Sequence, residues 1–261
     1  MRRLRAALLI ILTTFATVEA SLRVLDPWGA RYFDDVQAIW AASAPDATGY
    51  TFVPGRYDFG PTTFTIEPDG NRAVPGRFAG GARVAFVGDS VTFGQGVNDT
   101  DTWVSRVASA LRLDATNHGR SSYSVTNVAR VLEGIEGCAV FLTIANDPAH
   151  AQEYRAERPY PSLWLTRYLQ LALFPGDTPQ MAERFAPLYA SIAARPDTLI
   201  LAFDDGGYGD ILRTRFGAQL IAPFTRRISI ADAHADAAGN RQIAAAALPV
   251  IDDWLDKHDC T

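Results

Sequence analysis

One stretch, Val84–Val97, restricts what this chain can fold into more than any other part of the sequence. It reads Val-Ala-Phe-Val-Gly-Asp-Ser-Val-Thr-Phe-Gly-Gln-Gly-Val. An apolar run that ends in a small-residue turn and continues into a helical pattern is typical of a strand buried in a parallel sheet. The turn then lies at the carboxyl edge of the sheet, where open α/β folds place their sites. Ser90 is therefore predicted at this edge, beside a helix N-terminus that favours an anion.

The rest of the domain alternates strands with helices and extends this unit. Apolar runs predict strands over 83–88, 139–145 and 198–203. Apolar residues at i, i+3, i+4 spacing, together with helix boundary signals, predict helices at about 100–113, 125–135 and 238–257. Such alternation predicts an α/β fold with a mostly parallel sheet and helices on both faces.

The chain divides into three parts by composition. Segment 1–25 is a signal peptide or membrane anchor, segment 26–81 is a leader rich in Pro, Gly and aromatic residues, and segment 82–261 is the domain. The leader is expected to be irregular apart from a short strand over 64–67 and to pack on the domain, with a glycan-facing role for its aromatic residues as the alternative. Within the domain, an insert at 148–180 is longer than a connection needs and carries an apolar helical pattern over 163–174. This pattern predicts either a core helix or a helix that acts as a lid or leans on a membrane.

The N-terminus has the layout of an export signal. Arg2, Arg3 and Arg5 precede an apolar run over 6–18, which is shorter than the roughly 17–25 residues of a membrane span. Cleavage after Ala20 would leave a periplasmic or secreted protein. Retention would leave an inner-membrane anchor with the basic flank in the cytoplasm and the domain in the periplasm. The net charge of −5 argues against a nucleic-acid partner.

The Gly88-Asp89-Ser90 turn and its Thr-x-Gly-x-Gly-Val continuation resemble the first motif block of the SGNH hydrolases, also called the GDSL family. The resemblance covers about residues 71–257. It implies a flavodoxin-like three-layer α/β/α sandwich with a mostly parallel sheet, and it makes Ser90 the nucleophile of an esterase that needs no cofactor and no metal. Zinc-ligand spacing, Walker and dinucleotide glycine motifs and a Gly-x-Ser-x-Gly elbow are all absent from the sequence.

A serine nucleophile needs a base and a group that orients the base. His234, with Asp232 two residues before it, resembles the family's Asp-x-x-His block, except that Ala231 occupies the usual Asp position. Residues i and i+2 of extended chain project to the same side, so Asp232 takes the orienting role, and a Ser–His dyad is the alternative. The other histidines are expected to be surface or packing residues: His118, His150 and His258.

The resemblance also implies the donors of an oxyanion hole. They are the backbone N–H of Ser90, the backbone N–H of Gly119 or Ser122, and the side chain of Asn146. Ser122 stands where the family has Gly, so it must adopt a positive φ that side chains resist. Ile144 replaces a further family Gly. These departures predict a modest or specialised catalyst.

The two cysteines fit an exported protein. Cys138 precedes a predicted strand and Cys260 follows the last helix. If that strand and helix run antiparallel, both cysteines lie at the sheet edge opposite the site, and we expect a disulfide between them. Two unpaired thiols remain the alternative.

The function that these features predict is an exported serine esterase that cleaves small acyl esters, of an O-acetylated glycan or of a lipid. An O-acyltransferase acting on cell-envelope polysaccharide is one alternative, because a glycan hydroxyl could replace water. A non-catalytic envelope binding protein is another, motivated by Ile144 and Ala231. The expected partners are the ester substrate and, through the N-terminal segment, a membrane, with the oligomeric state left open.

Overall fold

The computed structural model describes residues 2–145, 162–173 and 185–260. Its helices are α1 (Arg2–Leu25), α2 (Tyr32–Ala41), α3 (Ser90–Phe93), α4 (Trp103–Leu111), α5 (Val125–Glu133), α6 (Trp164–Leu173), α7 (Ala186–Ala193), α8 (Tyr208–Phe216) and α9 (Ala237–Leu255). Its strands are β1 (Ser43–Ala44), β2 (Thr51–Phe52), β3 (Gly55–Phe59), β4 (Thr62–Ile66), β5 (Arg83–Gly88), β6 (Asp114–Asn117), β7 (Cys138–Thr143), β8 (Thr198–Phe203) and β9 (Gln219–Ile221).

The central sheet is parallel throughout. Within the described ranges it has five strands in the order β6-β5-β7-β8-β9. Counted from β5, this is the 2-1-3-4-5 order of flavodoxin-like folds, which confirms the predicted α/β/α sandwich. The strand order reverses between β5 and β7, where Gly88 is paired with Leu142. The crevice beyond the carboxyl ends of these two strands is where such folds bind ligands.

Alternate side chains of each central strand build the two cores. Val84 and Phe86 of β5 face α4 and α9, whose apolar faces pack in the same cluster. Val87 faces the opposite layer of α5, α7 and α8. The period of two follows from the pleat, and full burial of one such side chain contributes about 1.5–3 kcal/mol.

The leader contains more regular elements than the one short strand predicted over 64–67. Helix α2 and the antiparallel pairs β1–β2 and β3–β4 form an aromatic cluster around Trp40, Tyr50 and Phe52. Phe93 and Tyr123 of the domain belong to the same cluster. Because Phe93 ends α3, the leader packs directly against the crevice at the carboxyl edge of the sheet.

The amino edge of the sheet carries the disulfide. Cys138 at the start of β7 and Cys260 beyond α9 are bonded, with a Cα–Cα distance of 5.4 Å across a sequence separation of 122. The backbone N–H of Arg83 donates to the carbonyl of Cys260 at 2.7 Å, which ties the C-terminus to β5. Closing a loop of this size stabilises the fold by about 4–5 kcal/mol in the chain-entropy account.

Helix α1 extends away from the domain. Its 24 residues rise about 36 Å, and within the described ranges it alone is long and apolar enough to cross a membrane by length and composition. None of its most apolar stretch is buried in the protein. Its buried residue is Glu19, near its C-terminal end.

Candidate active site

The turn after β5, residues 88–97 and here called the nucleophile turn, is fixed largely by its own backbone. Gly88 has φ 156°, and a Cβ there would lie 2.7 Å from the carbonyl oxygen of Leu142. The carboxylate of Asp89 accepts the backbone N–H of Val91 at 2.8 Å and so caps α3. Ser90, the first residue of α3, is 6% exposed. The hydroxyl therefore lies in a nearly closed position at the carboxyl edge.

A buried arginine from the leader closes the nucleophile turn. The Arg72 guanidinium donates to the carbonyls of Phe93 at 2.8 Å, Gly94 at 2.6 Å and Val97 at 2.6 Å. Its Nε also donates to Asp99 at 3.0 Å. Burial lowers the pKa of Arg72 to about 10, so the group stays charged near neutral pH. No sequence signal identified this residue, because its partners are backbone carbonyls that any sequence presents.

Three side chains from the two ends of the domain form a continuous line. Ser90 Oγ lies 2.7 Å from His234 Nε2, and His234 Nδ1 lies 2.5 Å from Asp232 Oδ1. Asp232 is 2% exposed, whereas the His234 side chain is 19% exposed. Since an ionised carboxylate only accepts, Nδ1 carries the proton and donates it to Asp232, which leaves Nε2 free to accept from Ser90. This is the arrangement that a hydroxyl nucleophile requires.

Asp232 reaches the imidazole from a compact turn rather than from extended chain. In residues 226–236, here called the histidine loop, the N–H of Asp232 donates to Ser229 Oγ at 2.9 Å, and the N–H of His234 donates to Asp232 Oδ1 at 3.1 Å. The N–H of Ile228 donates to the carbonyl of His234 at 2.9 Å and closes the loop. The carboxylate is thus locked beside the ring although Ala231 lacks the family's acid.

The leader holds the histidine loop in place. The N–H of Ala231 donates to the carbonyl of Trp28 at 2.7 Å. Gly29, with φ 76°, approaches so closely that a Cβ would lie 2.3 Å from Ser229 Oγ. The ring centroids of Tyr32 and His234 are 6.2 Å apart. From the sequence, the leader was expected to pack on the domain, and no local motif marks these contacts with the histidine loop.

Among the expected oxyanion donors, the described residues favour Ser90 and Ser122. Ser122 has φ 62°, the left-handed conformation that its place in the motif requires. Within the described ranges, neither backbone N–H has a protein acceptor. The N–H of Gly119 is instead directed at Asn117 Oδ1, at 2.9 Å. Asn146 lies outside the described residues.

Gly119 has a packing reason to lack a side chain. A Cβ at Gly119 would lie 2.2 Å from the backbone nitrogen of Phe93. Asn117 supports this close approach, because its Nδ2 donates to the carbonyl of Thr92 at 2.9 Å. The loop after β6 is therefore packed closely against α3.

Gln95 lies between the separate parts of the site and was not among the residues expected from the sequence. It is 2% exposed, and its Oε1 accepts the hydroxyl of Ser121 at 2.6 Å. Its amide nitrogen then lies 3.4 Å from His234 Nδ1. A polar Gln inside the Thr-x-Gly-x-Gly run is the signal that could have identified it.

The other described histidines do not approach Ser90. His118 Nε2 is paired with Thr116 at 2.9 Å, and burial lowers the pKa of His118 to about 4. The Nδ1 of His258 donates to the carbonyl of Trp254 at 2.8 Å near the C-terminus. His150 lies outside the described residues. Across residues 2–145, 162–173 and 185–260, no cluster of three or more His, Cys, Asp or Glu side chains could hold a metal ion.

A small, mainly apolar cavity borders the triad. Its volume is about 200 Å³, and Tyr32, Phe59 and Ile228 line it together with Asp232. Asp35 lies at its rim, and burial raises the pKa of this carboxyl. Since drug-sized ligands occupy roughly 300–1,000 Å³, a cavity of this size suits a short acyl group.

Solved structures that the chain is similar to include three hydrolases. An α/β hydrolase enzyme from the metagenome of Lake Arreo, Spain, is 17% identical over 66% of this chain and 95% of that chain, with a TM-score of 0.42. The carbohydrate acetylesterase family member from Sinorhizobium meliloti is 16% identical over 67% of this chain and 99% of that chain, with a TM-score of 0.39. The native aryl esterase of M. smegmatis is 13% identical over 66% and 99%, with a TM-score of 0.45. No protein-family model and no curated protein matches the sequence.

Proposed function

We propose that the chain is an exported serine esterase of the SGNH type that hydrolyses small acyl esters. The observation that carries this proposal is the line of Ser90, His234 and Asp232, with 2.7 Å between Oγ and Nε2 and 2.5 Å between Nδ1 and Oδ1. Hydrogen-bonded nucleophile, base and orienting carboxylate in this order are the parts of acyl transfer through serine.

The first half-reaction acylates the serine. Ser90 Oγ attacks the ester carbonyl carbon while its proton passes to His234 Nε2. The carbonyl oxygen becomes an oxyanion, which the N–H groups of Ser90 and Ser122 stabilise. Collapse breaks the bond to the alcohol oxygen, and the alcohol leaves with the proton that His234 held.

The second half-reaction regenerates the free enzyme by hydrolysis of the acyl-serine. Water attacks the acyl-serine carbonyl, gives a proton to His234 Nε2, and the collapse releases the carboxylic acid while Ser90 regains its proton. Asp232 stays ionised, accepts the hydrogen bond from Nδ1–H throughout and stabilises the imidazolium that forms in each half-reaction. An orienting carboxylate of this kind typically accounts for about 10⁴ in rate.

Export rests on two further features. Helix α1 carries basic residues in its first turn and has the length and composition of a membrane span. The Cys138–Cys260 disulfide suits an oxidising compartment. We therefore assign the domain to the outer side of the membrane, with segment 1–25 as its export signal or anchor.

Hydrolysis of 4-nitrophenyl acetate by the full-length protein in detergent tests the function. Wild-type protein should release nitrophenolate with a burst equal to the enzyme concentration. Ser90→Ala and His234→Ala should each lose about 10⁴–10⁶-fold in kcat. Ser109→Ala and His258→Ala, which alter an exposed serine and a histidine beyond the end of α9, should retain the wild-type rate. Equal rates in all five proteins, or no turnover in any, would refute the proposal.

A further inference from the structure

The export helix is joined to the domain through a carboxylate. Glu19 of α1 accepts the backbone N–H groups of Trp164 and Leu165, each at 3.0 Å, and so caps the N-terminus of α6. Arg23 donates to Glu19 at 2.8 Å and to the carbonyl of Ser162 at 3.1 Å. Cleavage after Ala20 would remove this cap. The contact therefore favours retention of α1 as an anchor.

Helix α6 also contacts the leader, which in turn contacts the histidine loop. Arg167 forms a bidentate ion pair with Asp34 at 2.9 and 2.6 Å. The hydroxyl of Tyr168 accepts the N–H of Trp28 at 3.2 Å, and the two rings lie 5.0 Å apart. Trp28 in turn accepts the N–H of Ala231 in the histidine loop. The anchor, α6 and the catalytic base thus belong to one connected assembly.

The outer face of α6 carries two exposed leucines beside the exposed polar side chains of Thr166 and Gln170. Leu169 and Leu173 are 49% and 66% exposed and stand four residues apart, on the same side of the helix. Val24 and Leu25 at the end of α1 are 83% and 73% exposed. Single exposed leucines are ordinary on a protein surface, but here exposed apolar side chains occur both on α6 and at the end of α1, the helix that α6 contacts through Glu19.

Two cavities with shared lining residues, together called the groove here, border the triad and the end of the anchor. The apolar cavity of about 200 Å³ borders Asp232, and a second cavity of about 440 Å³ borders Arg23, Val24 and Trp164. Arg31 and Asp35 line both cavities. The second cavity has charged residues of both signs, which suits a polar headgroup, whereas the first suits a short acyl chain.

We propose that α6 rests on the bilayer that α1 enters, so that this groove opens toward lipid and the ester is a short acyl group on the headgroup of a membrane amphiphile. The proposal rests on the esterase function proposed above for the identity of the reaction. It adds the orientation of the domain and the class of substrate. The reaction is hydrolysis, in which water and the acylated headgroup give a free carboxylic acid and a headgroup hydroxyl.

The orientation can be tested without any catalytic activity. Full-length Leu173→Cys protein is labelled with the dye NBD, since the native cysteines are paired, and reconstituted in phosphatidylcholine vesicles. We expect blue-shifted emission and at least twofold quenching by lipids that carry a doxyl group near the headgroup. The matched control is Phe78→Cys, a 42% exposed apolar residue whose backbone N–H donates to Leu113 at the amino edge of the sheet, and it should not be quenched. Equal quenching, or none at residue 173, would overturn the orientation.

The substrate class is tested in the same vesicles with two acetylated glucosides. Dodecyl O-acetylglucoside inserts into the bilayer, whereas the methyl analogue stays in water. The wild-type protein should hydrolyse the dodecyl compound at least tenfold faster, and Leu169→Ser/Leu173→Ser should lose this preference while keeping the rate on the methyl compound. Phe78→Ser should change neither rate. Equal rates on both compounds would overturn the substrate class alone, and no hydrolysis of either would count against the esterase function as well.

The mass of the mature protein supplies a third check. Protein recovered from membranes should include residues 1–20, because Glu19 caps α6. A mass that corresponds to a protein beginning at Ser21 would show that the cap has been removed, and it would overturn the orientation.

Discussion

The two halves of the catalytic line are held in opposite ways. The nucleophile turn is buried and is fixed by the backbone of Gly88, by the cap from Asp89 and by the guanidinium of Arg72, which lies at most 25 residues from the carbonyls it binds. The histidine loop is partly exposed, and its supports come from the leader about 200 residues earlier in the chain, through Trp28 and Gly29. Substitutions in the nucleophile turn should therefore destabilise the fold, whereas substitutions that affect the histidine loop should misplace His234 in a folded protein.

This contrast separates stability from rate. A substitution in the nucleophile turn leaves buried polar groups without hydrogen-bond partners, which lowers the free energy of unfolding. Damage to the histidine loop moves a ring that water already reaches, which lowers the rate while the domain stays folded. Four substitutions test the contrast, beginning with the largest expected effect.

Asp232→Asn should give the largest effect on rate at almost unchanged stability. An amide can donate to Nδ1, which would turn the imidazole into the wrong tautomer, and we expect kcat to fall about 10⁴-fold. Asp253→Asn, in an exposed ion pair with Lys257, is the matched control and should change nothing measurable. A loss below tenfold on 4-nitrophenyl acetate would mean that Asp232 does not orient His234.

Arg72→Leu should give the largest effect on stability. The substitution leaves the carbonyls of the nucleophile turn and the Asp99 carboxylate without their donors, and breaking such a buried set costs about 3–5 kcal/mol. Arg77→Leu, whose side chain is 47% exposed in its ion pair, should cost less than about 1 kcal/mol. Urea unfolding monitored by tryptophan fluorescence measures both. Similar midpoints for the two variants would show that Arg72 does not hold the turn.

Gly29→Ala should reduce the rate by displacement of the histidine loop. The new Cβ would meet Ser229 Oγ, and a shift of about 1 Å at a catalytic group can cost roughly 10²-fold. Gly80→Ala is the matched control, because Gly80 also has a positive φ, but a Cβ there would have no atom within 4 Å. Both variants share the cost of backbone strain. If kcat falls equally in both, the leader does not position the base.

Ser122→Gly should give the smallest effect and should act on stability alone. Glycine removes the strain of φ 62° and keeps the backbone N–H, so we expect a gain of about 1 kcal/mol over Ser122→Ala with the same kcat. Thermal unfolding and initial rates on the pair provide the comparison. A tenfold rate difference between Gly and Ala would show that the backbone angle, and not only the N–H, matters to catalysis.

The sequence predicts the parts of this fold that rest on long periodic signals. The β5 run, the face of α4 and the length of α9 are apolar patterns that local physics translates directly into strands and helices. Strand β9 has three residues and was not predicted, since so short a run carries no period. Helix α2 was obscured by the Pro-, Gly- and aromatic-rich composition around it.

The candidate site divides in the same way. Ser90 and His234 stand in motifs, so local sequence was enough to single them out. Arg72 and Trp28 act through backbone groups or across the whole chain, and contacts of that kind leave no local pattern. Asp232 was chosen by its spacing in extended chain, whereas its actual reach comes from a turn closed by Ser229.

Intact-mass labelling of the full-length protein with a fluorophosphonate tests the central claim most directly. A serine activated by His234 should take one adduct, peptide mapping should place it on Ser90, and Ser90→Ala and His234→Ala should take none. An adduct that persists in Ser90→Ala, or a wild-type protein that stays unlabelled, would contradict an activated Ser90.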